Sequence, residues 1–163
     1  MTGILKVDTI QKNDGSTPTA ADLGLNVTDN IIQVVQSQKI TNSVTSSTSF
    51  VNTGLSVAIT PASTSSKILV HVHAGIDNNN SANSAHYTLY RDSTNVGNGD
   101  YGFGRTYAGS SRIITPVALM YLDSPATTSE IVYSYWHRSV NGGQIEAPGS
   151  YSTLTITAME IAG

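Results

Sequence analysis

The clearest period-two pattern in this chain lies at residues 68–76, which read ILVHVHAGI. Every second position there is apolar, at Ile68, Val70, Val72, Ala74 and Ile76. Successive side chains of a β-strand point to opposite faces of a sheet, so these five share one face. The pattern predicts a long strand with one face in a core.

The same alternation recurs elsewhere along the chain. The repeating segments are residues 55–59, 87–91, 113–122, 131–135 and 154–158. Pro116 lies within one of them, and because proline cannot donate to a strand ladder it predicts an edge strand or a bulge. No convincing amphipathic helix separates the segments. Seven or eight short strands without helices predict an all-β, antiparallel β-sandwich or jelly roll.

This unit begins near residues 31–36, which read IIQVVQ. The β-branched residues and glutamines favour a strand. The spacing of Val27, Ile31 and Val34 also fits a short helical neck around a three-fold axis, which is the alternative. We therefore divide the chain into an extended N-terminal arm, residues 1–30, and a head domain, residues 31–163.

The arm contains nothing long enough to build a core. Its apolar side chains are exposed unless another chain covers them. They are Ile4, Leu5, Val7, Ile10, Leu23 and Leu25. The pattern predicts an attachment arm that docks on a partner, and a frayed terminus is the alternative.

The composition excludes several classes of protein. Only 12% of the residues are charged, and the net charge of -3 with scattered Lys and Arg argues against a nucleic-acid partner. There is no cysteine, so neither disulfides nor thiolate metal sites hold the fold. We find no signal peptide and no apolar run near the ~20 residues of a membrane-spanning helix, so no membrane insertion is expected.

Few residues suggest catalysis. Residues 97–102 spell G-x-G-x-x-G but lie among turn residues, which favours a flexible loop over a dinucleotide site. His71 and His73 share a strand face and could bind a metal only with a third ligand from elsewhere. No G-x-S-x-G motif is present, and the carboxylates are few and dispersed. We predict no enzyme activity, no metal and no cofactor; a carboxylate pair for glycoside hydrolysis is the alternative.

One segment is typical of a contact surface. Residues 101–107 place Tyr101, Phe103, Arg105 and Tyr107 among glycines. Aromatic faces and arginine are common in surfaces that bind sugars or proteins. The alternative is a loop whose rings pack onto the head or into a subunit interface.

Several stretches resemble small phage virion proteins, a group often labelled tail fibre proteins. These are residues 3–11 (GILKVDTIQ), 50–55 (FVNTGL), 59–70 and 89–97 (LYRDSTNVG). The resemblance covers most of the chain in matching order. It implies a homotrimer whose arm anchors to the virion and whose jelly-roll head projects from the outer surface, without catalysis.

Within that resemblance, the short length and the lack of a repetitive shaft favour a capsid decoration, or cement, protein. Its partners would be further copies of itself and the major capsid protein or tail proteins of the same virion. Ile4, Leu5, Val7 and Ile10 would be the anchors, helped by strand addition. The alternative is a tail fibre protein whose segment 101–107 binds a host surface glycan; a polysaccharide hydrolase is a third, weaker reading.

Overall fold

A computed structural model describes residues 10–19, 22–23, 29–79, 82–148 and 151–163. Within these ranges the regular structure consists of strands. They are β1 (Ile31–Lys39), β2 (Ser43–Thr45), β3 (Val51–Ile59), β4 (Lys67–Asn78), β5 (Asn83–Arg91), β6 (Thr94–Asn95), β7 (Gly104–Ala108), β8 (Ile113–Asp123), β9 (Ile131–Ser139), β10 (Ile145–Ala147) and β11 (Leu154–Ile161).

The strands form two antiparallel sheets. The first has the order β1-β11-β4-β8, and β10 with β2 continues beside the far end of β4. The second has the order β3-β9-β5-β7, and β6 pairs with the other end of β5. The eight longest strands can be numbered 1 to 8 along the chain; they are β1, β3, β4, β5, β7, β8, β9 and β11. In this numbering the first sheet has the order 1-8-3-6 and the second has the order 2-7-4-5. This double Greek-key order is a jelly roll, so the predicted β-sandwich is confirmed.

The core lies between the two sheets and is built by the predicted alternation. In β4 the alternating residues Ile68, Val70, Val72 and Ile76 are completely buried. They face the inner side chains of the second sheet. Those are Leu55, Val57, Ile59, Leu89, Tyr133 and Tyr135. Every described member of this cluster of buried apolar residues lies between Leu55 and Ala158, so residues 10–19 and 22–23 are not part of it.

Further features of the sheets can be compared with the predictions from the sequence. Among the strands of the described residues, β8 pairs with β4 alone, which places Pro116 on an edge strand as predicted. Residues 31–39 form a strand that pairs with β11, so the alternative of a helical neck there is wrong. The second half of segment 101–107 is strand β7 rather than loop. In the described part of the chain, no helix is long and apolar enough to cross a membrane.

Candidate functional site

The G-x-G-x-x-G motif forms a compact turn between β6 and β7. The side-chain oxygen Oδ1 of Asn98 accepts hydrogen bonds from the backbone N–H groups of Asp100 (2.9 Å) and Tyr101 (3.0 Å). Gly102 has φ of +67°, and a β-carbon there would collide with the backbone of Tyr87. Gly102 is therefore needed for close approach of this turn to β5, in a setting of strands rather than a strand and a helix.

This turn presents most of the predicted aromatic segment on the outer face of the second sheet. Tyr101 is 53% exposed and Tyr107 is 58% exposed. The guanidinium carbon of exposed Arg105 lies 5.7 Å from the centre of the Tyr101 ring, within the range of a cation–π contact. Phe103 differs, because it packs partly buried against the core with its ring edge-on to Tyr121. The role of all four in surface recognition remains a prediction.

Two further side chains lie under Tyr101, and sequence reasoning missed them. His86 of β5 is paired with Arg105 across the strands, and its ring centre lies 5.3 Å from that of Tyr101. Arg138 of β9 donates to the carbonyl oxygen of Asp100 and covers the ring of Phe50, 5.0 Å from its centre. Only strand pairing brings these residues together, so no local sequence pattern could have identified them.

The surroundings of His86 favour its neutral form. Burial lowers its pKa below the ordinary value, and the positive charges of Arg138 and Arg105 lower it further, although the hydrogen bond to Asp100 opposes them. Its Nδ1 lies 2.9 Å from the carbonyl oxygen of Asp100 and so carries the donated proton. Its buried Nε2 has no partner among the described residues. The imidazole thus supports the Tyr101 turn through this hydrogen bond and its ring contact.

The anchors predicted in the arm are mostly outside the described residues. Ile4, Leu5 and Val7 are among these, while Ile10 is described and 51% exposed. Lys12 forms an exposed ion pair with Asp22, with 2.6 Å between Nζ and Oδ2. An ion pair of this kind contributes little to stability. The anchoring role of the four residues stays a prediction.

His71 and His73 lie on the outer face of β4, in the first sheet. Across the strand pair they are opposite Met120 and Ala118 of β8, and opposite Thr157 and Thr155 of β11. None of these neighbours is a good metal ligand. In the described ranges, no group of three or more His, Cys, Asp or Glu side chains is arranged to hold a metal ion.

The buried carboxylates serve the fold. Asp77, Asp123 and Glu160 are each almost completely buried. Asp77 pairs with Arg112. Asp123 binds Arg91 and Tyr133. Glu160 accepts hydrogen bonds from Gln33 and from the backbone of Ala62. Although burial raises the pKa of Glu160, hydrogen bonds from Gln33 and from the backbone N–H of Ala62 help to hold it below its usual value. Hydrolysis by a carboxylate pair needs two carboxyl groups flanking one bond, whereas these three are each engaged in separate pairs.

Comparison with solved structures gives partial likenesses to larger chains. The structure of the infectious bursal disease virus VP2 subviral particle matches with a TM-score of 0.46 and 11% sequence identity over 83% of this chain. The structure of the infectious bursal disease virus Gt strain matches with a TM-score of 0.37 and 13% identity over 84%. This chain spans only 38% and 37% of those two chains. No family model and no curated protein matches the sequence.

Proposed function

We propose that this chain is a non-enzymatic structural protein of a phage virion, a trimeric capsid decoration protein anchored by its N-terminal arm. The head projects from the outer surface of the particle, and the arm contacts the major capsid protein. The resemblance of residues 3–11, and of three later stretches, to small phage virion proteins supports this proposal.

One structural observation carries the proposal. Among the described residues, the buried apolar core runs from Leu55 to Ala158 and includes none of residues 10–19 or 22–23 of the arm. Ile10 and Leu23 are about half exposed, and the hydrogen bonds of residues 10–19 and 22–23 with other described residues stay within these two ranges. Exposed apolar residues outside the core are expected to bind a second surface.

Deletion of residues 1–12 tests the arm. We expect the shortened protein to keep its melting temperature and oligomeric state but to lose binding to undecorated particles, measured by co-sedimentation. Ile10→Asp should weaken binding, whereas Gln11→Asp, at the neighbouring exposed position, is the matched control. Full decoration by the shortened protein would contradict the arm's role.

A second candidate function rests on the exposed cluster of Tyr101, Arg105 and Tyr107. Here the chain is a tail fibre protein whose head binds a host surface glycan, since flat aromatic rings and a guanidinium suit sugar binding. Isolated heads on a glycan array should then give a signal that Tyr107→Ala removes. Immunogold labelling of intact particles separates the two functions, because label over the capsid supports decoration and label on the tail supports the fibre.

A further inference from the structure

Two of the four arginines in the chain have no acidic partner among the described residues. Arg91 and Arg112 are each paired with a buried aspartate. Arg105 and Arg138 form no ion pair with any carboxylate that the structure describes. A guanidinium group matches the geometry of a carboxylate, so these two uncompensated charges suit an anion from outside the chain.

The strand register brings these two arginines to one place. His86 of β5 lies opposite Arg105 of β7 on one side and opposite Arg138 of β9 on the other. Directly opposite residues share a face, so Arg105, His86 and Arg138 form one row on the outer face of the second sheet, here called the arginine row. Strands are spaced about 4.8 Å apart, so the two arginine backbones are about 10 Å apart. Burial and the two nearby guanidinium groups lower the pKa of His86, and the row therefore carries two positive charges at neutral pH rather than three.

Exposed aromatic rings lie beside the arginine row. The ring of Tyr101 contacts His86 and the guanidinium of Arg105. Tyr107 follows Arg105 by two positions on β7, so its exposed ring projects from the same outer face. Tyrosine presents a flat apolar ring with a polar tip, which suits the apolar face and the hydroxyl groups of a sugar. The surface thus combines two flat rings with two uncompensated cations.

The arginine row lies at the end of the head away from the arm. The backbone N–H of Asp29 donates to the carbonyl oxygen of Ala162 (2.9 Å), which places the root of the arm beside the end of β11. Gln33, near the start of β1, donates to the carbonyl oxygen of Thr60 (2.8 Å), so β3 ends at this same end of the head. β9 begins opposite the end of β3 and reaches Arg138 about 20 Å further on. A head attached by its arm therefore presents the row away from the particle.

We infer that the arginine row, with the exposed rings of Tyr101 and Tyr107, binds an acidic glycan, that is, one whose sugars carry carboxylate groups. The inference deepens the second candidate function, on which it rests for the sugar but not for the place of the chain in the virion. The exposed guanidinium of Arg105 donates paired hydrogen bonds to the carboxylate. The tyrosine rings pack against the sugar rings.

Other ligands match only part of this surface. Nucleic acid binding relies on contacts to many phosphates, whereas the row offers two cations on a chain with a net charge of -3. The exposed carboxylate of Asp100, in the same turn, pairs with neither arginine and further disfavours a dense polyanion. A neutral glycan would use the rings and leave both cations unmatched. A glycan with spaced carboxylates uses the rings and the cations together.

A glycan array tests the inference on the full-length chain. The array holds glycans that contain uronic or sialic acids, beside the same glycans after chemical reduction of their carboxyl groups to alcohols. We expect binding to acidic glycans and about tenfold weaker binding to their reduced counterparts, because the hydrogen bonds to a charged group are lost. Binding to the acidic glycans should weaken as the salt concentration rises, since salt screens exposed charges.

Substitution of Arg105 locates the binding surface. Arg105 is exposed and contacts the exposed ring of Tyr101, so Arg105→Gln should keep the melting temperature of the unaltered protein. Its affinity for the acidic glycans should fall about tenfold. Arg105→Lys keeps the charge without the paired N–H groups and should have an intermediate affinity. Lys67→Gln removes the same charge at an exposed position at the arm end of the head and should leave the affinity unchanged.

The inference and the two candidate functions can fail separately. Equal binding to acidic and reduced glycans overturns the inference and retains a head that binds glycans. Binding to acidic glycans that Arg105→Gln leaves unchanged overturns it too, because another surface then holds the sugar. Binding to no glycan overturns both the inference and the glycan-binding fibre, while decoration through the arm survives if the protein still co-sediments with particles.

Discussion

Tyr133 and Tyr135 lie two residues apart on β9 with both rings in the core, but their hydroxyl groups are in different situations. The Tyr133 hydroxyl donates to Oδ2 of Asp123 at 2.6 Å, and Arg91 donates to both carboxylate oxygens at 3.0 Å. The Tyr135 hydroxyl is buried and has no partner among the described residues. The two tyrosines therefore offer a matched pair of variants.

Tyr133→Phe should destabilise the protein by about 1.5–3 kcal/mol, because it removes a hydrogen bond to a buried charged group. Tyr135→Phe should be neutral or stabilising, because it removes an unsatisfied buried hydroxyl at nearly constant volume. Urea denaturation followed by tryptophan fluorescence measures both. Equal losses in the two variants would contradict this assignment of the hydrogen bonds.

His137 gives the head a dependence of stability on pH. Burial lowers the pKa of His137 from 6.5 to about 4. Below pH 6.5 the unfolded chain binds a proton that the folded chain does not, so stability falls as the pH decreases from 6.5 towards 4. Between pH 7 and pH 5 the loss from this group should be about 2 kcal/mol.

The variant His137→Gln checks this assignment. Urea midpoints from pH 8 to pH 5 should slope less in the variant than in the unaltered protein. His86, whose pKa is also lowered, contributes in the same direction and accounts for a residual slope. An unchanged slope in His137→Gln would assign the pH dependence to other groups.

At the scale of the strands, β3 contains a bulge that depends on glycine. The register with β9 shifts between Asn52 and Leu55, and Gly54 within the shift has φ of +80°. Gly54→Ala should cost about 1–2 kcal/mol, because an L-residue is strained in the left-handed region. Gly99→Ala is the control, since Gly99 has no positive φ and open space around it. Denaturant unfolding of both variants measures the difference, and similar stabilities would show that the bulge tolerates a side chain.

The long strands were predictable because alternation over many residues is unambiguous, as in β4 and β11. The shortest strands were not, because β2, β6 and β10 have two or three residues and no periodicity can develop. Strand β7 was not predicted, because the glycines of segment 101–107 favoured a loop there. In the candidate site, Tyr101, Arg105 and Tyr107 stand out in the sequence. His86 and Arg138 do not, since they reach that turn only through the pairing of β5 with β7 and β9.

At the scale of the whole molecule, the trimer and the arm depend on each other in the proposed function. One arm has few apolar side chains with which to hold a particle. Three arms joined through the head bind as a unit, and such linkage raises affinity by about 10²–10⁴-fold over a single contact. The trimer would thus convert three weak contacts into a lasting attachment.

A synthetic peptide of residues 1–30 tests this dependence on binding to particles. The single arm should compete with the full-length protein for the same sites and yet bind about 10²–10⁴-fold more weakly, because its contacts act singly. Ile10→Asp in the peptide should weaken the remaining binding, whereas Gln11→Asp should leave it unchanged. If the peptide binds as tightly as the full-length protein, one arm suffices, and the trimer must serve a purpose other than attachment.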